Sequence, residues 1–212
     1  ERTGKKEGIL FIDEINCVSE TLAPTMLQFL QNKTFGSHSV PEGWLIAAAG
    51  NPPEYNKSVR EFDIVTLDRV RRMDIEADLE VWMEYAWKKE IHGSILAYLG
   101  MKKDHFYSVE NTVDGKFFVT ARGWEDLSEI LKAYEELGVE ITENLVGEYL
   151  CRDEIARSFF ASYQLYRKYG EDYGLEHLLS GEMPEEEQQK KVKMAKDASF
   201  EERFLVTGLL LD

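Results

Sequence analysis

A chain of 212 residues, 43% of them apolar and 12% aromatic, has the material for one large or two small globular domains, and that composition excludes a disordered polypeptide. With 40 acidic against 25 basic side chains, its net charge of −15 repels a phosphate backbone, which disfavours non-specific nucleic-acid binding unless a local basic patch supplies the contacts. No apolar run approaches the ~20 residues of a membrane span, and no basic stretch followed by an apolar one leads the chain. Cys17 and Cys151 lie far apart, and His38, His92, His105 and His177 are scattered without metal-ligand spacing. The expectation is a cytoplasmic protein with reduced, structural thiols.

In chain order, Gly8-Ile9-Leu10-Phe11-Ile12 reads as a strand buried on both faces, and it stops at Asp13-Glu14. A buried parallel strand delivers its last residues to the carboxyl edge of the sheet, where ligands sit in open α/β folds. Taken alone, the two acids fit either a catalytic edge or a plain polar turn. Residues 20–31 carry Leu22, Met26, Leu27, Phe29 and Leu30 at mostly helical spacing, and 34–43 reads as a loop or short hairpin. Trp44 to Ala49 is a second buried strand ending at Gly50-Asn51-Pro52-Pro53. Strand, helix and strand make a βαβ unit, so the two strands are expected to run parallel, with Asn51 at the same edge as Asp13 and Glu14. Residues 52–56 are expected to form a rigid loop, and Phe62 to Ile75 reads as an apolar segment interrupted by Arg69, Arg71 and Arg72.

From Asp78 the pattern turns helical. Leu79, Trp82, Met83 and Ala86 mark one helix, and Ser94 to Leu99 begins another. Residues 106–119 alternate around Asp114-Gly115, a hairpin signal. Trp124, Leu127, Ile130, Leu131, Tyr134 and Leu137 define a helix closed by Gly138, and Ile155, Phe159, Tyr163, Tyr166 and Tyr169 line another at core spacing. Residues 183–197 are a charged helix or linker, after which Ser199-Phe200-Glu201-Glu202 reads as a capping box opening a last apolar helix to Leu211.

The order of these signals over residues 8 to about 135 resembles the AAA+ ATPases, and within them the MoxR-like, dynein-related branch. Ile9 to Glu14 is similar to the Walker B strand of that family, and Asn51 stands where its sensor-1 residue ends the next strand. Leu67-Asp68-Arg69 matches the Asp-Arg pair whose arginine reaches a neighbouring subunit; Arg72 is the second choice for that finger, with Arg71 beside it. Thr120-Ala121-Arg122-Gly123-Trp124 takes the place of sensor 2, though with Ala121 where the branch usually has proline.

The resemblance implies an α/β fold: the C-terminal half of a P-loop-type AAA+ parallel-sheet core in residues 1–76, then a mostly helical lid with a small β-hairpin and an extension in residues 77–212. It implies ATP and Mg2+ as ligands, with Asp13 holding the metal largely through water and Glu14 activating the attacking water. Asn51 would position that water or the γ-phosphate, while Arg69 in trans and Arg122 in cis neutralise transition-state charge. A trans-acting arginine implies a homo-oligomeric ring, a hexamer. Its output would be chaperone-like remodelling of protein clients, among them proteins with von Willebrand factor A domains, and the 34–44 loop falls where such rings carry a pore hairpin.

The phosphate-binding pattern Gly-x-x-x-x-Gly-Lys-Ser/Thr does not occur: Gly4-Lys5-Lys6 and Gly115-Lys116-Phe117 each lack the upstream glycine and the hydroxyl residue. Hence the expectation is a fragment that begins just before the Walker B strand and does not hydrolyse ATP alone. Two other classes stay open at this stage: a non-catalytic regulatory or scaffold homologue, against which the paired acids argue, and a nucleotide-driven nucleic-acid motor, which the net charge disfavours.

Overall fold

The computed structural model describes residues 6–19, 21–52, 59, 64, 68, 70–112 and 115–211. The chain divides into two compact units, Glu1–Ile75 and Glu76–Asp212, and it is a mixed α/β protein.

In the first unit β1 (Gly8–Ile12) is followed by α1 (Ala23–Asn32), β2 (Thr34–Phe35), β3 (His38–Ser39) and β4 (Trp44–Ala48). Pro24 lies in the first turn of α1, where the missing N–H costs nothing. Lys33 then ends the helix in the left-handed conformation, with its N–H donated to the Phe29 carbonyl at 2.8 Å. β2 and β3 form a two-residue hairpin through Gly36 and Ser37, and Phe35 turns its ring edge onto Phe29 at 6.1 Å between centroids.

β1 and β4 pair in parallel, as a helical crossover requires, with Gly8 opposite Trp44 and Ile12 opposite Ala48. The expectation of burial on both faces fails. Ile9 and Phe11 are 65% and 62% exposed, and Leu45, opposite Ile9, is 61% exposed, so one face of this pair is open to solvent. A continuous apolar run reports that both faces are apolar. Whether each is covered depends on layers that the run itself does not encode.

The second unit holds most of the buried core among the described residues. It begins with α2 (Leu79–Lys88) and α3 (Gly93–Met101), then a 3-10 turn at Lys103–His105. The hairpin β5 (Ser108–Thr112) and β6 (Gly115–Val119) follows, closing with Thr112 opposite Gly115, one residue earlier than a turn at Asp114-Gly115. Then come α4 (Ala121–Leu137), α5 (Glu143–Tyr149), α6 (Asp153–Tyr173), α7 (Leu175–Leu179), α8 (Glu185–Asp197) and α9 (Phe200–Leu211).

Short polar side chains start four of these helices. Asp78 Oδ1 accepts the Val81 N–H at 3.0 Å, Thr120 Oγ1 the Gly123 N–H at 3.2 Å, and Thr142 Oγ1 the Leu145 N–H at 3.3 Å. Ser199 Oγ likewise accepts the Glu202 N–H at 3.1 Å ahead of α9. Trp124, Phe159 and Tyr98 meet at the centre. Trp124 and Phe159 are edge-on at 5.4 Å, and the indole N–H donates to the Phe106 carbonyl at 3.0 Å. The hairpin is fastened to the helices by the Phe118 N–H on the Cys151 carbonyl at 3.1 Å and by Arg152, which donates to Ser108 Oγ and to Glu110 Oε1. α9 packs on α3 and α6, with Leu205 fully buried.

Candidate functional site

At the carboxyl edge of the β1–β4 pair the chain makes a tight turn whose hydrogen bonds account for nearly every residue in it. Ladder pairing continues past both strands: the Ala49 N–H donates to the Ile12 carbonyl at 2.8 Å, and the Ile15 N–H to the Ala49 carbonyl at 2.9 Å. Ile15 is thereby drawn inward and buried at 4% exposure, while Asp13 and Glu14, immediately before it, stay exposed. Asp13 Oδ1 accepts the Glu14 N–H at 2.9 Å, and the Cys17 N–H closes the turn on the Glu14 carbonyl at 2.9 Å.

Glu14 itself has φ = 51°, the left-handed region that costs a residue with a Cβ on the order of 1–2 kcal/mol. Lys33 and Glu90 also have positive φ, but each lies at the C-terminal end of a helix, where that conformation is routine. Glu14 closes no helix. Such strain persists where the surrounding bonds over-determine it, a pattern enriched at functional sites.

On the other strand end, Asn51 is exposed and its carbonyl accepts the Asn16 Nδ2–H at 2.8 Å. Asp13, Glu14 and Asn51 therefore share one edge, held by three hydrogen bonds between the two strand ends. That edge presents two carboxylates and a carboxamide, all hard oxygen or amide groups. Oxygen groups of this kind are what a hard divalent cation prefers, and among the described residues no three or more His, Cys, Asp or Glu side chains are grouped to hold a metal ion.

The arginines divide differently. Arg69 lies outside the described residues. Arg71 and Arg72 are exposed, and Arg72 Nε donates to Asp74 Oδ1 at 2.7 Å, a surface pair of small energetic consequence. Arg122 is exposed in the first turn of α4, and it belongs to the second unit whereas the acids belong to the first. A cation there opposes the helix dipole, so its placement is not explained by helix stability.

A second polar constellation was not legible in the sequence. His92, 5% exposed, caps α3: Nδ1 accepts the Ser94 N–H at 3.2 Å and lies 2.8 Å from Ser94 Oγ. Accepting at Nδ1 fixes the tautomer, so Nε2–H donates to Glu135 Oε2 at 3.0 Å. Glu135 Oε1 accepts from the Tyr163 hydroxyl at 2.8 Å and from Arg167 at 3.2 Å, and the His92 N–H donates to Ser128 Oγ at 2.8 Å.

Serine, histidine and glutamate in a line suggest a nucleophile relay, but Ser94 is 1% exposed and is the residue that the histidine caps. The group is a structural junction of α3, α4 and α6. Its only sequence signal is a histidine two residues before a serine at a helix start; Glu135 and Tyr163 come from elements far along the chain. Neither cysteine forms a disulfide.

No protein-family model, curated protein or solved structure matches this chain. No helix among the described residues is long and apolar enough to cross a membrane.

Proposed function

We propose that this chain is part of a MoxR-like AAA+ ATPase, with residues 1–76 contributing half of the nucleotide-binding core and residues 77–212 the lid and an extension. The observation that supports it is the edge at which parallel β1 and β4 end together, carrying Asp13, a strained and exposed Glu14, and Asn51. Mg2+ with ATP would supply charge neutralisation at the phosphates, held by Asp13 largely through water.

Glu14 orients the attacking water and accepts its proton, and Asn51 holds that water or the γ-phosphate by hydrogen bonding. Arg122 in cis and Arg69 from a neighbouring subunit then stabilise charge developing on the phosphoryl oxygens, which requires a homo-oligomeric ring, a hexamer in this reading. The reading assigns the phosphate-gripping loop to a part of the polypeptide outside these residues, and it assigns the output to remodelling of protein clients, including von Willebrand factor A domain proteins.

The test is Glu14→Gln in the intact polypeptide. ATP binding is expected to persist while steady-state phosphate release falls by roughly a thousandfold, since the base is removed and the binding groups are kept. Phosphate release at the wild-type rate in that variant overturns the reading. So does an intact protein that binds ATP without turnover, which is the behaviour of a scaffold.

A further inference from the structure

The turn after β1 contains one side chain that the mechanism above leaves without a task. Asn16 donates from Nδ2 to the Asn51 carbonyl at 2.8 Å, while its Oδ1 is buried with no hydrogen-bond partner among the described residues. Exchanging the two ends of the amide would set an oxygen against the Asn51 carbonyl oxygen, so the orientation with Nδ2 on Asn51 is the one that bonds.

One neutral hydrogen bond is worth about 0.5–1.5 kcal/mol net, and an orphaned buried acceptor costs about 1–3 kcal/mol. Local stability therefore does not account for the arrangement. The amide also fills space reserved for it: a Cβ on residue 50 would lie 2.3 Å from Asn16 Oδ1, so the contact exists only because that residue is Gly50.

We infer that Asn16 is a positioning residue that ties the end of β4 to the turn bearing Glu14, and so sets Asn51 at the height the catalytic carboxylate requires. This rests on the ATPase reading. Asn16 follows Glu14 by two residues in a turn closed by the Cys17 N–H on the Glu14 carbonyl, and its amide reaches the backbone of Asn51. Both groups that would orient the attacking water thus hang on one short rigid unit. Asn16 touches no reacting atom and acts through Asn51.

The experiment measures ATP turnover and nucleotide affinity of the intact polypeptide carrying Asn16→Asp, which keeps the size of the side chain and replaces the donor with an acceptor. Expected is a fall in kcat of roughly 10- to 100-fold with nucleotide affinity unchanged, the signature of misplacement at the reacting centre. In an Asn51→Ala background the same substitution should cost nothing further, because the tether then positions nothing.

Gly50→Ala approaches the bond from the other side, displacing the amide with its methyl group, and should reproduce the kcat loss. Wild-type turnover in Asn16→Asp, or losses that multiply in the double variant, overturn the inference. Glu14→Gln run alongside separates the two proposals. If it still hydrolyses, the ATPase reading fails; if it is inactive while Asn16→Asp turns over normally, the tether alone fails.

Discussion

A carboxylate with only 27% of its side chain exposed is costly to keep charged, and Glu135 stays charged through its partners. Burial raises its pKa. The hydrogen bond from His92, the charge of that ring when protonated, the Tyr163 hydroxyl and Arg167 outweigh burial and bring it from 4.5 down to about 2. The same contact acts oppositely on its partner, since burial and the Glu135 carboxylate together push the Tyr163 phenol well above its ordinary value.

A folded pKa below the unfolded one favours the native state above the unfolded value, and the gain is lost as pH falls through the folded value. The second unit should therefore lose roughly 2–3 kcal/mol between about pH 4.5 and pH 2 from this group. Glu135→Gln should be less stable at pH 7 and show a shallower decline across that window, read from urea midpoints at several pH values. Parallel pH profiles for the two proteins would show that the junction does not favour the carboxylate.

Among elements, α4 tests whether a glycine in a helix is a defect or a fitted part. Ordinarily alanine is the better helix former by about 1 kcal/mol. At residue 123, however, a Cβ would lie 2.8 Å from the Tyr149 carbonyl oxygen at the end of α5, and a backbone carbonyl gives way poorly. Overpacking costs typically about 1–3 kcal/mol, so the close approach wins over propensity. Gly123→Ala should lower the Tm by several degrees; an unchanged or higher Tm would show that α5 moves away freely.

The helix itself was readable, because Trp124, Leu127 and Leu131 repeat at its period and Gly138 ends it at φ = 66°. The role of Gly123 was not, since the atom it accommodates comes from Tyr149, at the end of a helix only seven residues long, too short to show a repeating apolar pattern. The candidate site divides along the same line. Asp13, Glu14 and Asn51 could be brought to one edge from sequence because strand ends in a βαβ unit are fixed by topology. The open face bearing Ile9 and Phe11 could not be foreseen, nor could the Asn16 contact, which depends on the backbone of a turn.

For the whole molecule, the described core is unevenly shared. In the first unit Ile15, Phe29 and Val59 are the buried apolar residues among those described, whereas the second unit closes a continuous cluster from Trp82 to Tyr163. Between them residues 71–78 have no regular structure and are exposed throughout, with Met73 and Ile75 at 82% and 89%. An extended segment fits a protease cleft without local unfolding, while a bond inside a packed helix must first open at a cost approaching that of unfolding the unit.

Trypsin at low dose should therefore cut after Arg71 or Arg72 before it cuts at Lys132 or Arg167, both on helices of the second unit. The product starting at Arg72 or Met73 should accumulate and keep the cooperative melting of the core around Trp124 and Phe159. Mass spectrometry of the early digest identifies the first cut, and a thermal scan of the purified product reads the melting. A first cut within residues 121–173, or a product without a cooperative transition, would mean that the helical unit is not stable on its own.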